Sequence, residues 1–290
     1  MKKTDTINLL LSASVLLLLS CNGAEDKLTV LGETGKDEIS GTEYVNGVLW
    51  ALEDSGNKDI LYKIGEKGGI EQQLRLRGMK NKDWEDLTSD AEGNLYIGDF
   101  GNNDNDRKDL AIYKINRDSL DNDMTQPDYA VYFKYPDQKS FPPKKSEFLY
   151  DAEAFFEHNG IFYIFTKNRS ARYDGSFKVY KVPNKAGSHT AVLAGTYTSC
   201  SAYRKCAITG ADISPDGTAV LLSSDKVWLI PGFSKGFKQE AMQQYELGHY
   251  SQKEGITFKD NNTLLIADEK EDGTGGLLYS VTITDLKAKR

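Results

Sequence analysis

Short apolar runs, alternating or continuous, recur along the whole chain and are broken by Gly, Asn and Asp. They include LTVLG (28–32), VLWAL (48–52), NLYIGD (94–99), YAVYFKY (129–135), IFYIFTK (161–167), AVLLSS (219–224), TLLIAD (263–268) and LLYSVTI (277–283). Runs of this length, rich in β-branched and aromatic residues, predict strands. The breaks at Asn159-Gly160, Asp216-Gly217 and Asp260-Asn261-Asn262 supply the positive φ or side-chain turn chemistry that strand reversal needs. Between 27 and 286 there is no linker, no low-complexity tract and no amphipathic-helix period.

The strands fall into a repeat. SGTEYVNGVLW from Ser40, DLTSDAEGNLY from Asp86, EAFFEHNGIFY from Glu153, DISPDGTAVLL from Asp212 and EGITFKDNNTL from Glu254 each start on an acid or hydroxyl and lead into an apolar run. Third strands follow at 59–64, 110–115, 178–182 and 226–230, and fourth strands near 72–78, 128–135, 190–197 and 243–248. Repeated four-stranded units of this length are the signature of a β-propeller. The last repeat stops after three strands while KLTVLG (27–32) is unassigned, so the N-terminal strand is expected to close the last blade and protect both edges. The expectation is an all-β, five-bladed propeller in one domain, 27–290. The five starting residues lie 46, 67, 59 and 42 positions apart, irregular enough to leave six blades as the alternative.

In a propeller the first strand of each blade lines the channel. Ser40, Asp86 (or its neighbour Glu85), Glu153, Asp212 and Glu254 would then form a ring of four carboxylates and a hydroxyl. Like charges at that spacing repel unless a cation or protons compensate. The same end collects the second-strand termini Asp54, Asp99, Lys167, Asp225 and Asp268. Hard oxygen ligands in such number suit Ca²⁺, whereas His158, His189 and His249 lack zinc-ligand spacing. The competing reading is that the acids cap strands by accepting N–H and Thr O–H bonds around a water-filled channel.

Positive charge follows the same strand ends. Arg107, Lys167, Arg169 and Arg172, with Arg204-Lys205, could bind a phosphate or carboxylate ligand beside the cation, or could balance surplus acids as ion pairs. Trp84 could stack on a sugar or base, or could pack between blades. In a hydrolase Asp54 or Asp99 would be the general base. No GxSxG, HExxH or P-loop motif is present.

At the N-terminus, Lys2 and Lys3 precede an apolar segment, Leu9 to Leu19, that is too short to span a bilayer. Leu18-Leu19-Ser20-Cys21 resembles the lipobox of bacterial lipoproteins. That resemblance implies removal of 1–20, lipidation of Cys21, a short tether over 21–26 and a place in the cell envelope, outer membrane included. The formal charge is −7, and about −8 without the leader, which argues against nucleic acid as a partner. Cys200 and Cys206 would form a short-loop disulfide in an oxidising compartment, or remain free thiols.

EISG (38–41), DWEDL (83–87), YIGDFGNN (96–103), DAEAFF (151–156) and TGADISPDG (209–217) resemble a widespread family of uncharacterised bacterial secreted and lipoprotein propellers. EIS, WEDL, DAEAFF and EGITF are more distantly similar to the calcium-dependent apyrase-type nucleotidases, five-bladed propellers in which each blade sends a Ser or Glu to a central calcium. This second likeness implies Ser40, Glu85 or Asp86, Glu153, Asp212 and Glu254 as metal ligands, although Asp212 stands where a serine is expected. Metal-dependent lactonases hold a comparable calcium on six blades. Together these readings predict a membrane-anchored binding or scaffold module with a small-molecule or protein ligand. The alternative is a calcium-dependent hydrolase of nucleotides or other phosphate esters, with a lactonase further off.

Overall fold

The computed structural model describes residues 26–288, so the leader, Cys21 and most of the tether lie outside the described residues. Among these residues no helix is long and apolar enough to cross a membrane.

Five antiparallel blades surround a central channel. Blade one runs Ile39–Val45, Val48–Glu53, Ile60–Ile64 and Ile70–Leu76, from the axis outward. Blade two runs Trp84–Ser89, Leu95–Asp99, Leu110–Ile115 and Tyr129–Lys134, and blade three Asp151–His158, Ile161–Lys167, Ser176–Pro183 and Val192–Thr198. Blade four has Gly210–Ile213, Ala219–Leu222, Lys226–Ile230 and Gln243–Glu246. Blade five has only three consecutive strands, Lys253–Phe258, Thr263–Asp268 and Leu277–Thr282. Its fourth is the N-terminal Thr29–Glu33, with Thr29 opposite Ser280 and Glu33 opposite Leu277. The ring therefore closes without a covalent link, as the repeat count predicts.

The described residues form no sixth blade. The long spacings are taken up by excursions that protect edges: Met124–Thr125 adds in parallel to the outer strand of blade one, and Gly187–Thr190 to that of blade two. Unpaired outer N–H and C=O groups would otherwise invite association.

The apolar residues form five clusters, one at each blade-to-blade contact. The contact between blades two and three is the most aromatic, with Tyr96, Phe100, Phe133, Tyr135, Phe155, Phe162 and Tyr180. Trp84 packs between blades one and two. The contact between blades five and one, sealed by Leu31 of the closing strand, is made mainly of aliphatic residues such as Ile39, Leu49, Ile60 and Leu265. Near the axis the inner strands crowd together. A Cβ on Gly41 would lie 2.5 Å from Asp86 Cα, and one on Gly210 2.5 Å from the Glu254 carbonyl oxygen, so no side chain fits there. Cys200 and Cys206 are joined, their Cα atoms 5.4 Å apart, which staples the loop entering blade four.

Candidate functional site

The inner strands share one irregularity. Pairing with the second strand slips between Ile39 and Gly41, Trp84 and Asp86, Ala152 and Ala154, and Lys253 and Gly255. The extra residue of each bulge is Ser40, Glu85, Glu153 or Glu254. A bulge re-aims the side chain it displaces, and these four stand at equivalent places at the upper end of the channel, where the inner strands begin. In blade four the matching residue is Thr209, whose N–H bonds Leu222 O beside the Gly210–Leu222 pair. Two hydroxyls tie blades together here: Ser40 Oγ donates to Glu85 O at 2.6 Å and Thr209 Oγ1 to Lys253 O at 2.6 Å. The upper ring is thus Ser40, Glu85, Glu153, Thr209 and Glu254, and Asp212 does not belong to it.

Asp151, two residues before Glu153 on the same strand face, joins this ring. Oxygens of Glu85, Asp151 and Glu153 lie within 4.8 Å of one another, and all three residues are buried. Arg169 reaches both, its Nε pairing with Asp151 and its Nη2 with Glu153 at 2.6 Å. Lys167 Nζ donates to Glu153 Oε2 at 2.9 Å, and the Asn102 N–H donates to Asp151 Oδ1 at 2.7 Å. The buried loop residue Asn102 arrives from blade two across Gly101, where any Cβ would strike the Glu85 and Asp83 carboxylates.

Burial and neighbouring charge split the acids. Burial pushes Glu153 up, but Lys167 and Arg169 hold it down to about 2. Burial and then Glu153 push Asp151 up against the pull of Arg169. Glu85 is driven well above the carboxylate range by burial and then by Glu153, Asp151, Asp83 and Glu254. Burial raises Glu254 to about 7, with Lys167 opposing and Glu153 reinforcing. Among the described residues neither the Glu85 nor the Glu254 carboxylate accepts a hydrogen bond, although each residue is only 6% exposed. Four carboxylates therefore face two cationic side chains. Around them Asp54 is raised to about 6 by burial and by Glu38 and Asp83, and Glu269 to about 9 by burial and by Glu254 and Asp54.

Asp86 and Asp212, two of the residues expected on the ring, have a different task. Asp86 accepts the N–H groups of Leu87 (2.8 Å) and, from the next blade, Phe155 (3.1 Å). Asp212 accepts those of Ile213 and, from the next blade, Phe258, both at 2.6 Å, plus the Thr257 hydroxyl at 3.1 Å. Thr88 Oγ1 takes the Glu157 N–H and Thr257 Oγ1 the Tyr44 N–H. Ser89 Oγ donates to Glu43. Toward the lower end of the channel four of the five inner-strand junctions are thus clasped through a side chain, the one between blades three and four having no such bond among the described residues. The edge N–H groups of the inner strands are satisfied in this way, which is the strand-capping reading of the acids.

The other candidates are redistributed. Trp84 is 0% exposed and cannot stack on a ligand. Arg107 spends its guanidinium on Asp99, Asp109 and Gly101 O, so Arg107 is no free ligand contact. Asp99 gives Oδ1 to Arg107 and to the Asp83 N–H, while its buried Oδ2 has no hydrogen-bond partner among the described residues. Asp225 pairs with Lys226 and Lys205, and Asp268 accepts from Leu277 N–H and Tyr279 O–H. Lys167 balances the ring. Among the described residues neither Asp54 nor Asp268 pairs with a cation, but Asp268 is committed to Leu277 N–H and Tyr279 O–H, whereas Asp54 is bonded to Asn57. Asp151 and Thr209 escaped the sequence reading. The signals were there: acid-x-acid in Asp83-Trp84-Glu85 and Asp151-Ala152-Glu153, and Ser40-Gly41, Thr209-Gly210 and Glu254-Gly255 at the crowded axis.

No protein-family model matches the sequence, and neither does any curated protein sequence. Solved structures do match in shape. A PQQ-bound aldose sugar dehydrogenase from Streptomyces coelicolor superposes with a TM-score of 0.52 at 10% identity, covering 89% of this chain and 99% of that one. The calcium-binding protein regucalcin from Agrobacterium tumefaciens gives 0.46 at 13% identity over 88% and 93%. Virginiamycin B lyase from Staphylococcus aureus gives 0.41 at 15% identity over 85% of this chain and only 65% of the lyase. The chain thus spans just under two thirds of the lyase's length. At these identities the likeness is one of fold: the structural neighbours are β-propeller proteins.

Proposed function

We propose that this chain is a binding module, lipid-anchored at Cys21 in the bacterial envelope, whose upper channel mouth holds a calcium ion. One observation carries the reading: Glu85, Asp151 and Glu153 are clustered and buried with Glu254 close enough to act on them as a charge, Lys167 and Arg169 are their cationic partners, and among the described residues the Glu85 and Glu254 carboxylates accept no hydrogen bond. With all four acids ionised around a bound cation, the two charges that Lys167 and Arg169 do not balance match one divalent ion, and an all-oxygen donor set matches calcium over zinc or copper. The holding residues would be Glu85, Asp151, Glu153 and Glu254. The Ser40 and Thr209 hydroxyls are already donated to backbone carbonyls of the following inner strands and frame the site.

Calcium binds only the folded ring, so it stabilises by mass action. A hundredfold excess over Kd contributes about 2.7 kcal/mol, or roughly 5–10 °C in a chain of this size. Thermal melts in millimolar CaCl₂ against EDTA test this, with Glu153→Gln expected to shrink the response. Equal melting temperatures in the two buffers would remove the site. A second reading, a calcium-dependent hydrolase, is favoured by Asp54, which burial brings to about 6, within the range of a general base. Release of phosphate from a phosphate ester by the wild type but not by Asp54→Asn would favour it over a pure binding module.

A further inference from the structure

Beside the acidic mouth lies a hollow of opposite character. Its volume is about 410 Å³, and it is lined by Asn103, Lys145, Phe148, Arg169, Ser170, Ala171, Tyr173 and Tyr203. The lining holds two cations and no carboxylate, in a chain whose net charge is −7. Lys145 has no ion-pair partner among the described residues, and its Nζ stands 4.1 Å from the centroid of the Phe148 ring. Arg169 uses Nε and Nη2 on the acidic ring, while Nη1 points the other way, 3.4 Å from the Tyr203 hydroxyl. Tyr173 and Tyr203 meet edge to face at 5.2 Å, and Tyr203 is 38% exposed.

We propose that this hollow is a binding site for an organic anion: a carboxylate or phosphate carried on a flat ring. Lys145 Nζ, Arg169 Nη1 and the Tyr203 hydroxyl would meet the anionic head, and the tyrosine faces the ring. Each part has its reason. Lys145, which has no ion-pair partner among the described residues, attracts an anion electrostatically, and the Arg169 guanidinium, though paired with Asp151 and Glu153, is held still by them with Nη1 left as a donor toward the hollow, so little rotamer freedom is lost on binding. Exposed tyrosines offer apolar area together with a hydroxyl donor. The inference rests on the calcium reading only for the acidic ring that fixes Arg169.

The test uses the full chain with benzoate, phenyl phosphate and neutral phenol as probes, titrated calorimetrically, and with CaCl₂ titrated separately. At least one anion should bind at least tenfold more tightly than phenol, and the stronger of the two identifies the head group. Lys145→Met should weaken that anion about tenfold, and Tyr203→Ala should weaken it several-fold. Both variants should leave the CaCl₂ titration unchanged, because neither residue touches the ring carboxylates. Normal calcium binding with no anion binding overturns this site and spares the calcium one. Anion binding that survives both substitutions, or equal binding of phenol, overturns it as well. A missing calcium signal with Lys145-dependent anion binding does the reverse: it supports the hollow and removes the calcium ion.

Discussion

Toward the lower end of the channel Asp86 and Asp212 each hold two backbone N–H groups; at the upper end Glu85 and Glu254 hold none. Both pairs are buried carboxylates on inner strands, and Glu85 and Asp86 are neighbours in sequence. The difference is what each acid faces. Aspartate is short enough to fold back on its own strand and reach the next blade's edge, so its charge is spent on the backbone ladder. The glutamates sit on bulges that turn them off the ladder and toward the axis. A buried charge that is fully hydrogen-bonded is architecture; one left without donors is a vacancy in the charge balance.

The comparison breaks most readily at Asp212. Replacing it by Ala strands two N–H groups, each worth about 1–3 kcal/mol when buried and unpaired, so urea unfolding should show a loss of about 3–5 kcal/mol. A loss under 1 kcal/mol would mean that the clasp is not structural. A smaller effect concerns pH. Burial lifts Asp212 from 3.8 to about 7, so between those values the folded chain holds a proton that the unfolded chain has lost. Stability should therefore fall as pH rises from 4 to 7 and level off above, by an amount on the order of a few kcal/mol. Asp212→Asn should flatten that limb in a pH series of chemical melts; an unchanged slope would assign the limb to other acids. The smallest effect sharpens the contrast. Glu254→Gln removes a charge with no donors to lose, so in EDTA it should stabilise the chain by about 1 kcal/mol, while in CaCl₂ it should weaken the calcium response. If it destabilises the metal-free chain as Asp212→Ala does, the two ends of the channel are alike and the distinction fails.

Much of the architecture was legible because strand repeats announce themselves through apolar spacing. Blade boundaries, third and fourth strands and the closing role of 27–32 all follow from runs such as LAIYKI and LLYSVTI and from the missing last strand. The ring was legible in part. Ser40, Glu153 and Glu254 hold their expected places, and of the two blade-two acids it is Glu85, not Asp86, that turns to the axis. Blade four misled because an acid was expected, and Asp212 lies three positions beyond the true equivalent, Thr209. A bulge changes which of two adjacent residues faces the channel, and no periodicity records it. Asp151 was hidden for a related reason: its role depends on Arg169 and on the Asn102 loop folding over it, contacts between segments far apart in sequence.

The closing strand sets an order of events. Thr29–Glu33 completes a sheet with Leu277–Thr282, so the first strand described here must wait for almost the last before it can pair. Blades two to four can each form from contiguous chain. Blade five, and with it the aliphatic seal against blade one, cannot form until the whole length is present. Closing so long a loop adds an entropic cost that grows only logarithmically with length, but it places the slow, non-local step at the end. Until then, the outer edge of blade five at Leu277–Thr282 stays open to other chains.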